Sequence, residues 1–304
     1  MQIPRAFGTL VFLVAWLVPW RPAYRIRAAR SGLTFYVHHR DAIGRHVAKY
    51  GTHEPLLTRW LADYLAAASP GIVIDVGANF GWYTVHAARQ RNVETVVAFE
   101  PDAFNAWLLD RNLTENAIDN AIVDGRAVGA KPGIARLFRY KSSNRGRHTL
   151  IGDLGYGSRQ VPVTDLDGAL GALGLDKRPV TFLKIDVEGY EPAVIAGASR
   201  TLTRTNAMIL EYSPELSRGG GLSDAEMLSH LQSLGFSPFV LRREGGTTRV
   251  SADELRTLKG SIDVIWLRTA TATSEVMRAM NERARDGLTL LDIAEQNKLV
   301  VKPI

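Results

Sequence analysis

The chain has 304 residues, 46% of them apolar, which allows one large or two small domains and excludes a disordered chain. Its 37 Lys and Arg against 31 Asp and Glu give a net charge of +6, a balance compatible with nucleic acid, an anionic membrane surface or an anionic substrate, and selecting none. The absence of cysteine excludes disulfides, thiolate metal sites and cysteine nucleophiles.

Phe7 to Trp20 is almost wholly apolar, and arginines flank it at 5, 21, 25, 27 and 30. As a helix it would span about 21 Å, short of a hydrocarbon core of roughly 30 Å. Two readings stand together: a membrane-interface anchor with Trp16 and Trp20 at headgroup depth, or a helix packed on protein. A cleaved signal peptide is the weaker third, for want of a clean cleavage site. The domain plan is then an apolar segment over 1–21, a main domain over 22–270 and a C-terminal helical extension over 271–304. If the segment inserts, the arginines after it keep the body cytoplasmic.

Residues 24–29 and 33–38 read as two short strands joined by Ser31-Gly32. His38, His39, His46 and His53 fall close together but lack the spacing of a zinc site, so no metal is assigned to them. Glu54-Pro55 opens a helix with Leu57, Leu61, Tyr64 and Leu65 on one face, ended by Ser69-Pro70-Gly71.

The organising stretch is Ile72-Val-Ile-Asp-Val-Gly-Ala-Asn-Phe-Gly81. Its apolar, β-branched run reads as a strand buried on both faces, as in a parallel sheet. Gly77 and Gly81 bracket a tight turn, and Trp82–Arg91 follows as a helix: the first unit of a doubly wound α/β fold. A second strand, Thr95 to Phe99, ends in Glu100, placed to accept hydrogen bonds from ribose hydroxyls. The ligand expected is therefore a nucleoside. In the dinucleotide fingerprint a glycine at the position of Asn79 lets backbone approach a pyrophosphate, and here a side chain crowds it. Asp75 adds a negative charge just before the turn. That combination favours S-adenosylmethionine, cationic and free of phosphate, over NAD.

Pro101-Asp102 starts a helix carrying Phe104, Trp107 and Leu108; the sequon Asn112-Leu-Thr falls inside it and is set aside. Ala121–Val128 reads as a third strand. Ile134–Tyr140 and Gln160–Thr164 flank a polar loop, Lys141–Arg159, carrying Arg145, Arg147 and His148, with the length of a lid or of a mobile surface loop. After a short helix over Asp165–Leu175, a fourth strand from Val180 ends in Asp186, followed by Glu188, Gly189 and Glu191, and Pro192 opens a helix. Ala207–Glu211 is a fifth strand. A glycine turn over 217–221, a helix over Asp224–Leu234, and Pro238–Leu241 with Ile262–Arg268 as a hairpin pair complete the sheet. Thr273–Ile304 reads as one or two helices outside the core, with Met277, Met280, Leu291 and Ile293 as docking residues.

Two runs, Ile74-Asp-Val-Gly-Ala-Asn-Phe-Gly-Trp-Tyr-Thr84 and Leu183-Lys-Ile-Asp-Val-Glu-Gly-Tyr-Glu191, resemble the paired signatures of the FkbM family of S-adenosylmethionine-dependent methyltransferases. Phe99-Glu-Pro and Val128-Gly129 match as well, and the resemblance extends from Tyr36 to Leu267. It implies a Rossmann-like, seven-stranded class I methyltransferase sheet. It also implies O-methylation of a sugar, glycan or natural-product hydroxyl, with a small-molecule or glycan acceptor and no nucleic acid. By position, Asp75, Gly77, Asn79 and Gly81 are assigned to the methionine end of the cofactor and Glu100 to its ribose. Asp186 would hold the cofactor's amino group, orient the acceptor or act as base, and Glu188, Glu211 and His148 are the other base candidates. Asp186, Glu188 and Glu211 could alternatively bind Mg²⁺, or simply cap neighbouring helices. Two other functions stay open: a nucleic-acid methyltransferase, disfavoured because the fourth strand ends in Asp-Val-Glu-Gly, and a non-catalytic or NAD-binding Rossmann domain.

Overall fold

The computed structural model describes residues 23–268 apart from 29, 39–40, 142, 215, 217–221 and 243–245. The apolar segment over 7–20, the glycine turn over 217–221 and the C-terminal extension lie outside the described residues. Among those described, no helix is long and apolar enough to cross a membrane.

A hairpin leads: β1 (Ala23–Arg27) and β2 (Thr34–His38) pair antiparallel. Two helices follow, α1 (Ala42–Tyr50), capped by the Asp41 carboxylate, and α2 (Pro55–Ala67), with Pro55 at its start. Then comes the expected strand, β3 (Gly71–Val76), buried at every position, and α3 (Trp82–Ala88). The alternation continues with β4 (Val93–Phe99), α4 (Ala103–Glu115) and β5 (Ala121–Asp124). After an inserted sheet of β6 (Ala127–Val128), β7 (Gly133–Phe138) and β8 (Ser158–Thr164), the chain returns through α5 (Leu166–Ala172) to β9 (Val180–Ile185). Two short helices, α6 (Glu191–Ala196) and α7 (Ser199–Thr203), lead to β10 (Thr205–Tyr212). The chain then runs through α8 (Asp224–Ser233), β11 (Phe236–Leu241), β12 (Thr247–Arg249), α9 (Ala252–Arg256) and β13 (Ile262–Arg268).

The main sheet has eight strands in the order β12-β11-β13-β10-β9-β3-β4-β5. Its centre is parallel from β5 to β10, and β13 enters antiparallel between β10 and β11. Because β3 is fully buried, both sheet faces must be covered, and they are. The hairpin and α1–α4 pack Phe35, Trp60, Trp82 and Leu109 against one face; α5–α9 pack Leu166, Val194, Leu228 and Leu255 against the other.

The strand count corrects the expected seven. The eighth, β12, is a three-residue edge strand, Thr-Thr-Arg, too short to show alternation, and it begins just after Gly246, whose φ is +83°. Along with α9 it separates β11 from β13, so these two are neighbours but not a simple hairpin. The expected third strand is also two. Asp124 turns its carboxylate back onto the Arg126 amide (2.9 Å) and guanidinium, and the chain leaves the main sheet there, so that Ala127-Val128 pairs with β8 instead.

Asn112, the sequon residue, is fully buried and holds the hairpin to the body. Its Oδ1 accepts from the Tyr36 amide, while its Nδ2 donates to the carbonyls of Tyr36 (3.0 Å) and Phe80 (2.7 Å). Asn112→Ala would leave three backbone groups without this partner and is expected to cost at least about 3 kcal/mol, measured by urea denaturation. A change under about 1 kcal/mol would show that the hairpin does not depend on it.

Candidate active site

Strand order reverses between β3 and β9, and in open α/β sheets the ligand crevice forms beyond the carboxyl ends of the strands at such a point. Here the two strand ends nearly touch. The Asp186 amide donates to Val76 O at 3.0 Å, and a Cβ on Gly77 would stand 1.9 Å from Asp186 O. Gly77 also has φ +83°, so only glycine fits. The turn continues through Asn79 at φ +53°, a conformation asparagine tolerates, and Gly81 at φ +88°, where a Cβ would meet Leu109 Cδ1 at 2.3 Å.

Gly77, Asn79, Glu100 and Asp186 line the polar part of the crevice; Val128, Leu137, Leu150 and Tyr190 line its apolar part. Glu100 accepts from the amides of Asn79 (2.8 Å) and Asp102 (2.7 Å), which fixes the carboxylate at the end of β4. Burial pushes its pKa up to about 7, against the pull of those amides. Asp102 caps α4 through the Phe104 and Asn105 amides and pairs with Arg145 at 2.7 Å. Burial would raise its pKa, but the Arg145 guanidinium and the capping amides outweigh it and hold the group below its usual value.

Asp75 does not line the crevice. It is 2% exposed, accepts from Thr84 Oγ1 at 2.6 Å and faces Lys184 from beneath. Lys184, also buried, reaches Asp186 at 2.9 Å and stacks on the Tyr83 ring. Burial alone would lower its pKa; Asp186 and Asp75 reverse that and raise it, so the ammonium keeps its charge between two carboxylates. The charge presented to the crevice is thus that of Asp186, the first residue beyond β9.

Asp186, Glu188 and Glu211 each offer a carboxylate oxygen, all within 4.8 Å of one another. That spacing suits a divalent cation, but protein cations already serve two of the three: Lys184 at Asp186, and Arg147 at 3.5 Å from Glu188. Glu191 has a structural place. Its Oε1 accepts from the amides of Val187 (2.9 Å) and Gly189 (3.3 Å), closing the turn after β9.

His148 lies on the crevice wall, and its Nδ1 accepts from the Tyr140 amide at 2.9 Å. Burial, aided by Arg145, Arg139 and Arg159, lowers its pKa to about 4. The neutral ring therefore carries its proton on Nε2, which is buried with no hydrogen-bond partner among the described residues.

The loop over 141–157 crosses the crevice and is tied at three places. The Arg145 amide donates to Asp41 at 2.9 Å, its guanidinium binds Asp102, and Thr149 Oγ1 donates to Glu188 O at 2.9 Å. Gly146 packs on Asn79, where a Cβ would come within 3.0 Å of Nδ2. Of the wall residues, Asn105, Gly146, Leu137 and Leu150 carry no sequence signal of their own; only the length of the loop hinted at a cover.

A sequence model described as the methyltransferase FkbM domain matches residues 75–238, more than half the chain. The chain belongs to the FkbM methyltransferase family. No curated protein matches it significantly in sequence. Similar solved structures include an rRNA methylase from Streptococcus thermophilus, 13% identical with a TM-score of 0.40, covering 68% of this chain and 93% of that one. TYW2 of M. jannaschii in complex with AdoMet is 12% identical with a TM-score of 0.38, covering 82% and 87%. A precorrin-6y C5,15-methyltransferase from Geobacter metallireducens is 11% identical with a TM-score of 0.38, covering 72% and 92%. In this FkbM domain the first signature forms β3, the glycine turn and α3, and the second forms the end of β9 and the Glu191-closed turn.

Burial raises Glu191 from its ordinary 4.5 to about 8, as it raises Glu100 to about 7. A raised carboxyl stabilises the fold fully below its unfolded value and loses that contribution as pH rises through its folded value. Thermal midpoints of the ligand-free protein are expected to fall as pH rises from about 4.5 to about 8, and to fall less in Glu191→Gln. Glu191→Ala, which opens the turn, is expected to cost about 2 kcal/mol below about pH 4.5 and less as pH rises. A Glu191→Gln profile as steep as wild type would show that Glu191 does not titrate in this window.

Proposed function

We propose that this FkbM-family protein is an S-adenosylmethionine-dependent O-methyltransferase acting on a hydroxyl of a sugar, glycan or other natural product. The observation that carries the cofactor reading is the pairing of Glu100 and Asp186 on one crevice across Gly77, with Asn79 where a diphosphate-binding turn needs glycine. The site suits the cofactor in three respects. The turn has no room for a side chain at Gly77, Glu100 is held at the end of β4 by two backbone amides, and His148 Nε2 has no hydrogen-bond partner among the described residues.

When bound, S-adenosylmethionine supplies a methyl group already activated by its sulfonium. Glu100 would hold the ribose hydroxyls, the Gly77–Asn79 backbone the methionine end, and Val128, Leu137 and Tyr190 the adenine. Asp186 would accept the proton of the acceptor hydroxyl as the carbon–oxygen bond forms. Lys184 is its positioning residue: at 2.9 Å it fixes the direction of the carboxylate. Glu188, held by Arg147, and Glu211, at the end of β10, would shape the acceptor side.

Two tests follow from these roles. Asp186→Asn is expected to bind S-adenosylhomocysteine within a few-fold of wild type and to lose at least about 10²-fold in turnover. Turnover is read as a one-methyl mass gain on a glycan fraction treated with enzyme and cofactor. Unchanged turnover would remove Asp186 as the base, and methylation of RNA but not glycan would replace the acceptor class. Since ionised Glu100 is the better acceptor for ribose hydroxyls, S-adenosylhomocysteine affinity is expected to fall roughly tenfold between about pH 8 and about pH 6, and the dependence to vanish in Glu100→Gln. An equal slope in the variant would exclude Glu100 as the ribose ligand.

A further inference from the structure

We propose that Arg145, on the loop that crosses the crevice, is a positioning residue for the cofactor, acting through Asp102 and Asn105 on the grip of Glu100. This rests on the ribose reading of Glu100. The contacts come from one side chain. Arg145 Nη2 donates to Asp102 Oδ1 at 2.7 Å, and its Nε to Asn105 Oδ1 at 3.4 Å. Both acceptors stand at the start of α4, and both also hold Glu100. The Asp102 amide lies 2.7 Å from Glu100 Oε1, and the Asn105 side chain hydrogen-bonds the same carboxylate. Glu100, Asp102 and Asn105 are all buried, so water screens little of what one does to another.

Most of the ties that seat this loop do not use the guanidinium. The Arg145 amide donates to Asp41 at 2.9 Å, and Thr149 Oγ1 donates to Glu188 O at 2.9 Å. Phe138 and Thr149 exchange both backbone bonds, at 2.8 and 3.1 Å. What the guanidinium adds is a direct reach to the two residues that hold the ribose carboxylate.

Glu100 is the group such a contact can tune. Burial raises its pKa to about 7, so its charge is divided near neutral pH. The Asp102 charge raises it further, whereas the Asp102 and Asn79 amides and the Asn105 side chain lower it. The other charged or titratable groups on the crevice wall include Arg126, Arg145, His148 and Asp186. Arg126 is paired with Asp124, Asp186 with Lys184, and the His148 ring is neutral above about pH 4. Arg145 offsets the Asp102 charge and anchors Asn105, and both effects favour the ionised Glu100 that accepts from ribose hydroxyls. Without the guanidinium, Glu100 keeps its proton to higher pH; without the Asp102 charge, it loses the proton at lower pH. The loop over the crevice thereby sets the pH range in which the cofactor is held.

The test is titration calorimetry of the full-length protein with S-adenosylhomocysteine from about pH 5 to about pH 9. Wild-type affinity is expected to fall on acidification with its midpoint at about pH 7. Arg145→Gln is expected to raise that midpoint by at least about half a pH unit, with affinity at about pH 9 within about twofold of wild type. Asp102→Asn, which still caps α4, is expected to lower it. Opposite shifts from two variants that break one ion pair cannot come from loosened packing, which would weaken binding in both at every pH. Lys141→Gln, which removes an exposed cation of the same loop, is expected to leave the midpoint in place. Melting temperatures show which variants are folded, and Arg145→Gln and Asp102→Asn each carry a prediction of their own. An unmoved midpoint in either folded variant, shifts of one sign in both, or an equal shift in Lys141→Gln would overturn the proposal and leave the ribose reading standing. Wild-type affinity that does not change with pH would overturn the ribose reading, and the proposal with it.

Discussion

The crevice depends on how closely β3 and β9 approach at their carboxyl ends. The Val76–Asp186 backbone bond and the missing side chain at Gly77 let the two strand ends meet, and the chain then has to diverge into two turns. One turn carries Asn79 to the Glu100 carboxylate; the other carries Asp186 outward and is closed by Glu191. A Cβ at Gly77 would strike backbone, not a flexible side chain, and neither strand could yield without breaking ladder bonds on both sides. The spacing between Glu100 and Asp186 is thus set by sheet geometry, not by loops.

Lys184 is the electrostatic counterpart of that contact. A buried ammonium is stable only with carboxylates around it, and here one faces the core and one faces the crevice. Asp75 lies in the core against Thr84 and Lys184, whereas Asp186, 2.9 Å from Lys184 and 35% exposed, opens onto the crevice. The same economy recurs in the covering loop, where Asp41 and Asp102 each cap a helix and hold Arg145. Two helix N-termini and the loop therefore share their acceptors, so the loop position and the N-terminal layer move as a unit.

The sequence showed the parts whose physics is local. A short β-branched run broken by one residue, Asp75, reads as a strand covered on both faces, so β3 and the alternation that follows it were readable, as were the turns at Gly77 and Gly81 and the carboxylates at the strand ends. What was not readable depends on neighbours far along the chain. The place of Asp75 is one such case: it lies inside β3, before its last residue, so its side chain points to a face of the sheet, whereas Asp186 follows the last residue of β9 and opens outward. The bond from the Tyr140 amide to His148 Nδ1 likewise joins residues eight apart across a loop, which no local pattern shows. The split of β5 from β6 turns on one carboxylate folding back to Arg126, and β12 is too short for any periodicity to register.

The central claim is that this turn receives a phosphate-free nucleoside and refuses a diphosphate. Titration calorimetry of the full-length protein with S-adenosylhomocysteine and with ADP-ribose, under the same conditions, tests it most directly. The account predicts saturable one-to-one binding of S-adenosylhomocysteine and none of ADP-ribose; binding of ADP-ribose at comparable affinity, or silence toward both, would contradict it.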